Sequence, residues 1–247
     1  MAVKLSVNVN KVATLRNSRG GRVPSVLEAV QTCVRAGSPG ITVHPRADQR
    51  HITPADVREI SVELKGRDVE LNIEGDPRPD LLALVDEIRP TQCTLVPVKP
   101  GEMTSEAGWP PATPTKMVDD VVRRLRTAGV RVSVFVDPEA DAIRWAAGVG
   151  ANRVELYTEP FARRLEAGLD QGTASFRTYA DAAELAHSLG LGVNAGHDLD
   201  LQNLRVFREL PHLDEVSIGH ALMSRALFVG LEKVVREYLD VLNRRPA

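Results

Sequence analysis

The sequence predicts a single α/β domain over residues 1–247, a (β/α)8 barrel with extra helices. Three observations predict it: eight runs rich in β-branched residues, a helical pattern after each run, and a length of 247 residues, which is typical of such barrels. Strands that alternate with helices are parallel strands joined by helical crossovers. A doubly wound open sheet is the main alternative, but the chain reads NVNKVATLRNSRGG after its first strand, where that fold usually has GxGxxG.

The eight predicted strands are KLSVNVN, GITVHP, VELNIEG, QCTLVPV, RVSVFVDP, RVELYT, GLGVNAG and EVSIGHA, starting at Lys4, Gly40, Val69, Gln92, Arg131, Arg153, Gly190 and Glu215. Helical patterns begin at Ser25, Met117, Tyr179 and Leu231, and the first three end at Gly37, Gly129 and Gly190, where C-caps are expected. An extra helix is predicted around residues 161–168, before a crossover helix that starts near Ser175. Segment 99–114, rich in Pro and Gly, predicts a long loop after the fourth strand, and such loops often act as lids.

Composition excludes several classes of protein. With 43% hydrophobic and 26% charged residues, the chain can bury a sizeable core, which excludes disorder. Thirty-one basic against thirty-three acidic residues leave a net charge of -2, so we expect neither nucleic acid nor a membrane as a partner. Cys33 and Cys93 lie in apolar segments and form no disulfide framework. Without a signal-peptide pattern at the start, we expect a cytoplasmic protein.

Polar residues cluster where the predicted strands end. In a (β/α)8 barrel the active site lies at the carboxyl ends of the strands. The residues found there are Asn8, Asn10, His44, Arg46, Asn72, Glu74, Lys99, Asp137, Glu155, Asn194, His197 and His220. Together with His51, the loops hold four of the six histidines. We therefore expect a catalytic rim, although a histidine at a strand end is also often structural.

Each strand-end residue has a second interpretation. Asp137 precedes a proline and a helical pattern, which predicts an N-cap rather than a catalyst. Glu74 lies on an otherwise apolar strand, where a carboxylate is costly unless it is paired or functional, so we favour function. The same holds for Glu155, with a salt bridge as the alternative. The amides of Asn72 and Asn194 could simply satisfy backbone groups inside the barrel.

The loops also predict anion sites. SIGHALMS puts Gly219 and His220 directly before a helix, where barrels of this kind bind phosphate on backbone N–H groups. The first two loops add arginines, namely Arg16, Arg19, Arg22, Arg46 and Arg50. Arginine clusters beside a rim favour phosphate binding. Two separate sites would mean two phosphorylated substrates or one substrate with two phosphates.

Seven segments resemble one known family in order and in spacing. ATLRNSRGG, ITVHPRADQRHI, NIEG, LVPVKPGEMTSEAG, VELYT, VNAGHD and SIGHALMSRA are similar to the pyridoxine 5'-phosphate synthases, over essentially the whole chain. The resemblance implies a TIM barrel with added helices that condenses 3-amino-2-oxopropyl phosphate with 1-deoxy-D-xylulose 5-phosphate. The products are pyridoxine 5'-phosphate, phosphate and water. It further implies no metal, no organic cofactor and a homo-octamer built from dimers.

The resemblance also implies a role for individual residues. It makes His44 and Glu74 general bases, His197 the proton donor and Glu155 the residue that stabilises the transition state. The contacts that it implies to the aminoketone phosphate are Asn8, Arg19, Gly219 and His220. Those that it implies to the deoxyxylulose phosphate are Arg46, His51 and Thr104.

Two motifs depart from the family pattern. Where the family has Asn-x-Asp-His, this chain has Asn8, then Asn10 and Lys11, so the expected contacts to the sugar phosphate lose an acid and an imidazole. Where it has Gly-His-Gly, this chain has Asp198 after His197. A carboxylate repels phosphate unless it turns away and only its backbone N–H donates. Asn10, Lys11 and Asp198 are nonetheless expected to bind substrate.

Three other functions compete with this interpretation. Lys99 at the end of the fourth strand is placed for a Schiff-base aldolase. The set His44, Glu74, Glu155 and His197 could instead hold a divalent metal in an isomerase or epimerase. A non-catalytic phosphosugar sensor on an inherited barrel is the third, and the two departures are its only support.

Overall fold

The computed structural model describes residues 3–98 and 105–243 and confirms the predicted barrel. Within those ranges eight strands form one closed sheet in chain order, every neighbouring pair is parallel, and β8 pairs with β1. The strands are β1 Lys4–Asn8, β2 Gly40–Val43, β3 Glu70–Gly75, β4 Gln92–Leu95, β5 Arg131–Val136, β6 Arg153–Tyr157, β7 Gly192–Gly196 and β8 Leu213–Ile218. All eight predicted strands are present, so the open-sheet alternative is wrong.

Helices connect the strands and add to them. They are α1 Asn10–Asn17, α2 Val26–Arg35, α3 Pro54–Leu64, α4 Pro79–Ile88, α5 Asp119–Thr127, α6 Ala140–Gly148, α7 Glu159–Ala167, α8 Leu169–Ser188, α9 Leu204–Phe207, α10 His220–Val229 and α11 Leu231–Asn243, with a 3-10 turn at Thr115–Met117. The predicted extra helix is α7, and α8 starts earlier than expected. Among the described helices, none is both long enough and apolar enough to cross a membrane.

The barrel has an apolar outer layer and a polar interior. Leu5, Val7 and Ile41 are fully buried in the continuous apolar core that includes helix residues. The alternate, inward-facing positions of the same strands carry hydroxyls and amides. Ser6 Oγ lies 2.7 Å from Thr42 Oγ1. Barrels usually fill this space with branched apolar side chains, so the interior here is specialised.

The inward amides bond to side chains rather than to the backbone. Asn72 donates to Thr42 Oγ1 at 3.3 Å and accepts from Thr94 Oγ1 at 3.1 Å. Asn194 accepts from Arg153 at 2.8 Å and donates to Gln92 Oε1 at 3.3 Å. The alternative interpretation, that these amides satisfy backbone groups, is therefore wrong. The amides belong to a side-chain hydrogen-bond network, so these polar groups inside the barrel have hydrogen-bond partners.

Both cysteines are buried free thiols, as the sequence predicted. Burial raises the pKa of Cys33 and of Cys93 to about 12. Neither thiol forms a reactive thiolate near neutral pH, so both act as small apolar core residues.

Candidate active site

His44 and Glu74 meet at the carboxyl ends of β2 and β3. His44 Nδ1 lies 3.9 Å from Glu74 Oε2, and the two residues are 6% and 4% exposed. Ser217 on β8 donates to Glu74 Oε1 at a long 3.5 Å. His44 Nε2 is buried and finds no hydrogen-bond partner within residues 3–98 and 105–243. The pair thus keeps one ring nitrogen available for a bound molecule.

Burial sets the protonation of this pair. It raises the pKa of Glu74 to about 8, and the nearby Glu215 carboxyl adds to the effect. Burial also lowers the pKa of His44 well below its ordinary value, helped by the positive charge of Arg46. At neutral pH Glu74 therefore holds a proton and His44 does not. A buried carboxyl with a raised pKa is the costly group that the sequence analysis expects on this strand.

Glu155 on β6 is a second buried carboxyl, only 2% exposed. Its Oε2 has no hydrogen-bond partner in the described part of the chain, and no salt bridge to a described residue is formed, so that alternative is wrong. Burial raises its pKa well above the ordinary value, and Glu74 adds to the shift. A Cβ on Gly196 would lie 2.4 Å from Glu155 Oε1, so only glycine leaves room for this carboxyl.

His197 follows β7 and lies against aromatic rings. Its ring centroid is 4.7 Å from that of Phe135 and 5.6 Å from that of Tyr157. With Val96, these two form a small apolar cluster separate from the main core. Burial lowers the pKa of His197 to about 4, so the ring is neutral at pH 7. The sequence analysis identified His197 but missed its aromatic wall, because the rings come from β5 and β6.

The backbone at His197 is unusual. His197 has φ +74° and Asp198 has φ +51°, a left-handed conformation that few residues with a Cβ adopt. Asp198 lies at the surface, where partial desolvation and the Glu159 carboxylate raise the pKa of its carboxyl. Asp198, where the family resemblance implies a glycine, thus has a backbone conformation that glycine adopts most easily.

Residues at the end of β1 and the start of α1 hold the His44 backbone in place. Asn8 Oδ1 accepts a hydrogen bond from the Asn10 backbone N–H at 3.0 Å, and Asn10 Oδ1 accepts one from the His44 backbone N–H at 2.9 Å. The amide oxygen of Asn10 is therefore already used in a hydrogen bond within the protein. Lys11 beside it is exposed. A Cβ on Gly219 would lie 3.1 Å from Asn8 Cβ, which brings the β8 end close to these residues.

Four arginines of the first two loops divide into two paired and two exposed residues. Arg16 forms a two-pronged ion pair with Asp56, at 2.5 and 2.9 Å, and Arg50 pairs with Asp48. Arg19 and Arg22 are exposed, as is His220 at the start of α10. Arg16 therefore has a structural role, and the anion-site prediction keeps Arg19 in the first loop.

The second loop combines a buried cation with a perturbed imidazole. Arg46 is 7% exposed, and burial with the charges of Arg46 and Lys11 lowers the pKa of the half-buried His51 to about 4. Asn17 at the end of α1 donates to the His51 carbonyl at 2.8 Å. First and second loops are thus tied together at the rim, which the sequence did not reveal.

Asp137 is not an N-cap. The N-cap of α6 is Glu139, and Asp137 Oδ2 instead accepts from the Gly108 backbone N–H at 3.2 Å. Trp109 next to it donates its indole N–H to the Leu95 carbonyl at 2.9 Å. The prediction failed because the helix starts later than the proline suggested. Lys99 and Thr104, two predicted site residues, lie outside the described residues.

The four residues proposed as metal ligands do not form a ligand set. Among residues 3–98 and 105–243, no group of three or more His, Cys, Asp or Glu side chains is arranged to hold a metal ion. His197 packs against the rings of Phe135 and Tyr157. The barrel mouth, meaning the carboxyl ends of the strands around His44, Glu74, Glu155 and His197, therefore holds two buried carboxyls and two neutral imidazoles. Such a set is suited to proton transfer.

Solved structures share the fold. Phosphoribosyl anthranilate isomerase from Thermotoga maritima superposes with a TM-score of 0.62 at 13% identity, over 97% of this chain and 98% of that one. Thiamine phosphate pyrophosphorylase from Pyrococcus furiosus gives 0.61 at 13% identity, over 97% and 95%. At such low identity these likenesses establish the barrel alone.

Sequence comparison is far more specific. Residues 5–244 match the family described as pyridoxal phosphate biosynthesis protein PdxJ. Pyridoxine 5'-phosphate synthase from Porphyromonas gingivalis is 50% identical over 240 residues, covering 97% of this chain and 98% of that protein. The protein of the same name from Christiangramia forsetii is 50% identical over 241 residues, covering 97% and 99%. The family resemblance predicted from the motifs is thereby confirmed, and the chain belongs to the PdxJ family.

Proposed function

We propose that this chain is a pyridoxine 5'-phosphate synthase of vitamin B6 biosynthesis. It condenses 3-amino-2-oxopropyl phosphate with 1-deoxy-D-xylulose 5-phosphate and releases pyridoxine 5'-phosphate, phosphate and water. The observation that carries the proposal is the barrel mouth, where His44 lies 3.9 Å from the buried Glu74. The family membership and the names of relatives at 50% identity support the same reaction.

The condensation is a series of proton transfers. The amine of one substrate adds to the ketone of the other and water leaves, phosphate is eliminated, and one new carbon–carbon bond closes a ring that becomes aromatic. A positioned acid or base accelerates each such step by roughly 10²- to 10⁴-fold. We assign these steps to the acid and base groups of the mouth, without a metal or an organic cofactor.

We assign the roles by the protons that each group carries at rest. His44 is neutral, and its Nε2 has no hydrogen-bond partner among the described residues, so it serves as the first base. Glu74 holds a proton because its pKa is about 8, so it becomes a base only after delivering that proton. His197 is neutral with a pKa of about 4, so it donates a proton that it has first accepted. Glu155 stabilises positive charge that develops in the substrate.

Two anion subsites would hold the two phosphates. The first comprises Arg19 and the Gly219–His220 turn at the start of the ten-residue helix α10, with Asn8 and the Asp198 backbone beside it. The second comprises Arg46 and His51, with Asn10, Lys11 and Thr104. Buried Arg46 supports this second site, because a cation 7% exposed is a strong anchor for a phosphate.

We further propose a cytoplasmic homo-octamer built from dimers. Three apolar side chains support self-association, since Val23, Leu227 and Phe228 are 82%, 74% and 87% exposed. The two free buried thiols fit a reducing compartment.

Incubation with both substrates tests the proposal. We expect a pyridine product, detected by absorbance and by mass, and release of one phosphate per product. Reactions that lack either substrate are the controls. Absence of product at saturating concentrations of both substrates would reject the proposed function.

A further inference from the structure

We propose that Thr158 and Asn203 are positioning residues that hold the His197 turn in its working conformation. The inference rests on the proposed proton-transfer role of His197. Neither residue touches the reacting groups in this assignment. Both act on the backbone of residues 196–198, which carries the imidazole.

Two side chains donate hydrogen bonds to three consecutive backbone carbonyls of this turn. Thr158 Oγ1 donates to the Gly196 carbonyl at 2.7 Å and also to the His197 carbonyl, so its one proton is shared. The Thr158 backbone N–H reaches the Gly196 carbonyl as well, at 3.1 Å. Asn203 Nδ2 donates to the Asp198 carbonyl at 2.9 Å. The turn is therefore braced by the residue that follows β6 on one side and by the segment before α9 on the other.

The turn needs such braces because its backbone is unfavourable. His197 and Asp198 are consecutive residues with φ of +74° and +51°, and both carry a Cβ. Left-handed backbone crowds the Cβ of an ordinary residue, so it persists only where surrounding bonds enforce it. The donors are well placed to do so, since Thr158 is 0% and Asn203 is 7% exposed.

Each brace is itself fixed in place. The Tyr179 hydroxyl donates to the Tyr157 carbonyl at 2.5 Å, which anchors the chain directly before Thr158. Asn203 Oδ1 accepts from the Asp200 backbone N–H at 2.8 Å, and Asp200 Oδ1 accepts from the Asn203 backbone N–H at 2.8 Å. These reciprocal bonds orient the Asn203 amide so that its NH2 group faces the turn.

The braces matter to chemistry because of where the turn puts the ring. His197 lies 4.7 Å from the Phe135 centroid, and this burial lowers its pKa to about 4. A turn that relaxes would swing the imidazole away from the aromatic wall towards water. The misplaced ring would lose alignment with substrate and regain an ordinary pKa.

The decisive comparison is Thr158→Val against Thr158→Ser. Valine keeps the shape and removes the hydroxyl, and serine restores it. We expect Thr158→Val to lower kcat by about 10- to 100-fold with KM for both substrates nearly unchanged, and Thr158→Ser to restore most of it. Thr127→Val is the matched control, because that exposed hydroxyl also donates to a backbone carbonyl, at 2.8 Å, but lies on α5.

Histidine NMR tests the brace independently of turnover. We expect the His197 Hε1 signal to carry a ring-current shift from the nearby rings of Phe135 and Tyr157. In Thr158→Val we expect this shift to shrink and the His197 titration to move from about 4 towards 6.5. Because this measurement needs no product, a failure of the proposed function and a failure of the brace are distinguishable.

A double-mutant cycle and a second brace complete the test. If Thr158 acts through His197, Thr158→Val adds no further loss to His197→Asn. Asn203→Asp replaces the donating NH2 by an acceptor and should reproduce the effect of Thr158→Val, which decides the matter if that variant does not fold. An unmoved His197 signal together with wild-type kcat, or equal losses in the serine and valine variants, would overturn the proposal.

Discussion

The two histidines of the barrel mouth lie in opposite surroundings. His44 sits 3.9 Å from the Glu74 carboxyl and within the field of Arg46. His197 sits against Phe135 and Tyr157, whose rings carry no charge. Both have a lowered pKa, yet at His44 charge adds to burial, whereas at His197 burial alone lowers it. Binding an anion can therefore change the basicity of His44 far more than that of His197.

Because of this difference, substrate binding affects the two histidines unequally. A phosphate that neutralises Arg46 would remove part of the positive field that suppresses the pKa of His44, so substrate binding itself makes His44 a better base. His197 has no such control and depends on its position in the aromatic wall. Nearby charge therefore controls the basicity of His44, whereas packing against aromatic rings controls that of His197.

The largest expected effect is on the aromatic side. His197→Asn should lower kcat by at least about 10²-fold, because a positioned proton carrier contributes that much. Circular dichroism and the thermal midpoint should be unchanged. His187→Asn is the control, since His187 stacks on His212 at 3.7 Å near the end of α8, away from the mouth. Wild-type turnover in His197→Asn would make His197 a structural residue.

The anion subsites give the next largest effect. A charge-assisted contact is worth roughly 1.5 to 3 kcal/mol, so Arg19→Ala should weaken the aminoketone phosphate by about one to two decades. Arg46→Ala should do the same for the deoxyxylulose phosphate. Calorimetric titration of each variant with each substrate measures four affinities. If both variants weaken the same ligand, two separate subsites do not exist.

The sequence predicted the barrel and the rim because both follow from local pattern. Alternating runs define strands, and a strand end such as His44 or Glu74 reaches the rim in any barrel of this order. The contacts within the mouth could not be predicted, since they join distant parts of the chain. Ser217 reaches Glu74 across 143 residues of sequence, and the Gly196 approach to Glu155 depends on strand register.

A smaller effect concerns stability on the charged side. Because the pKa of folded Glu74 is raised to about 8 from 4.5, the folded state binds this proton more tightly than the unfolded chain does. Its contribution to stability is complete below about pH 4.5 and is lost as pH rises towards 8. Glu74→Gln removes this dependence. The difference in thermal midpoint between the variant and wild type should therefore shift in favour of the variant by several degrees as the pH rises from 5 to 8.

Glu155→Gln provides a comparison, because burial also raises the pKa of Glu155. It should show the same direction of change. A pH-independent difference between Glu74→Gln and wild type would mean that Glu74 is ionised in the folded state.

The smallest expected effect concerns the basicity of His44 relative to that of His197. Arg46 lowers the pKa of His44, whereas His197 owes its low pKa to burial without Arg46. Arg46→Ala should therefore raise the pKa of His44, keep that ring protonated to a higher pH, and move the acidic limb of kcat/KM upward by less than about one unit. The pKa of His197 should stay near 4. Histidine NMR titrations measure both, with Arg46→Lys as the control that keeps the charge. Equal changes in the two pKa values would show that the charge of Arg46 acts on both rings. The distinction between His44, controlled by charge, and His197, controlled by packing, would then be wrong.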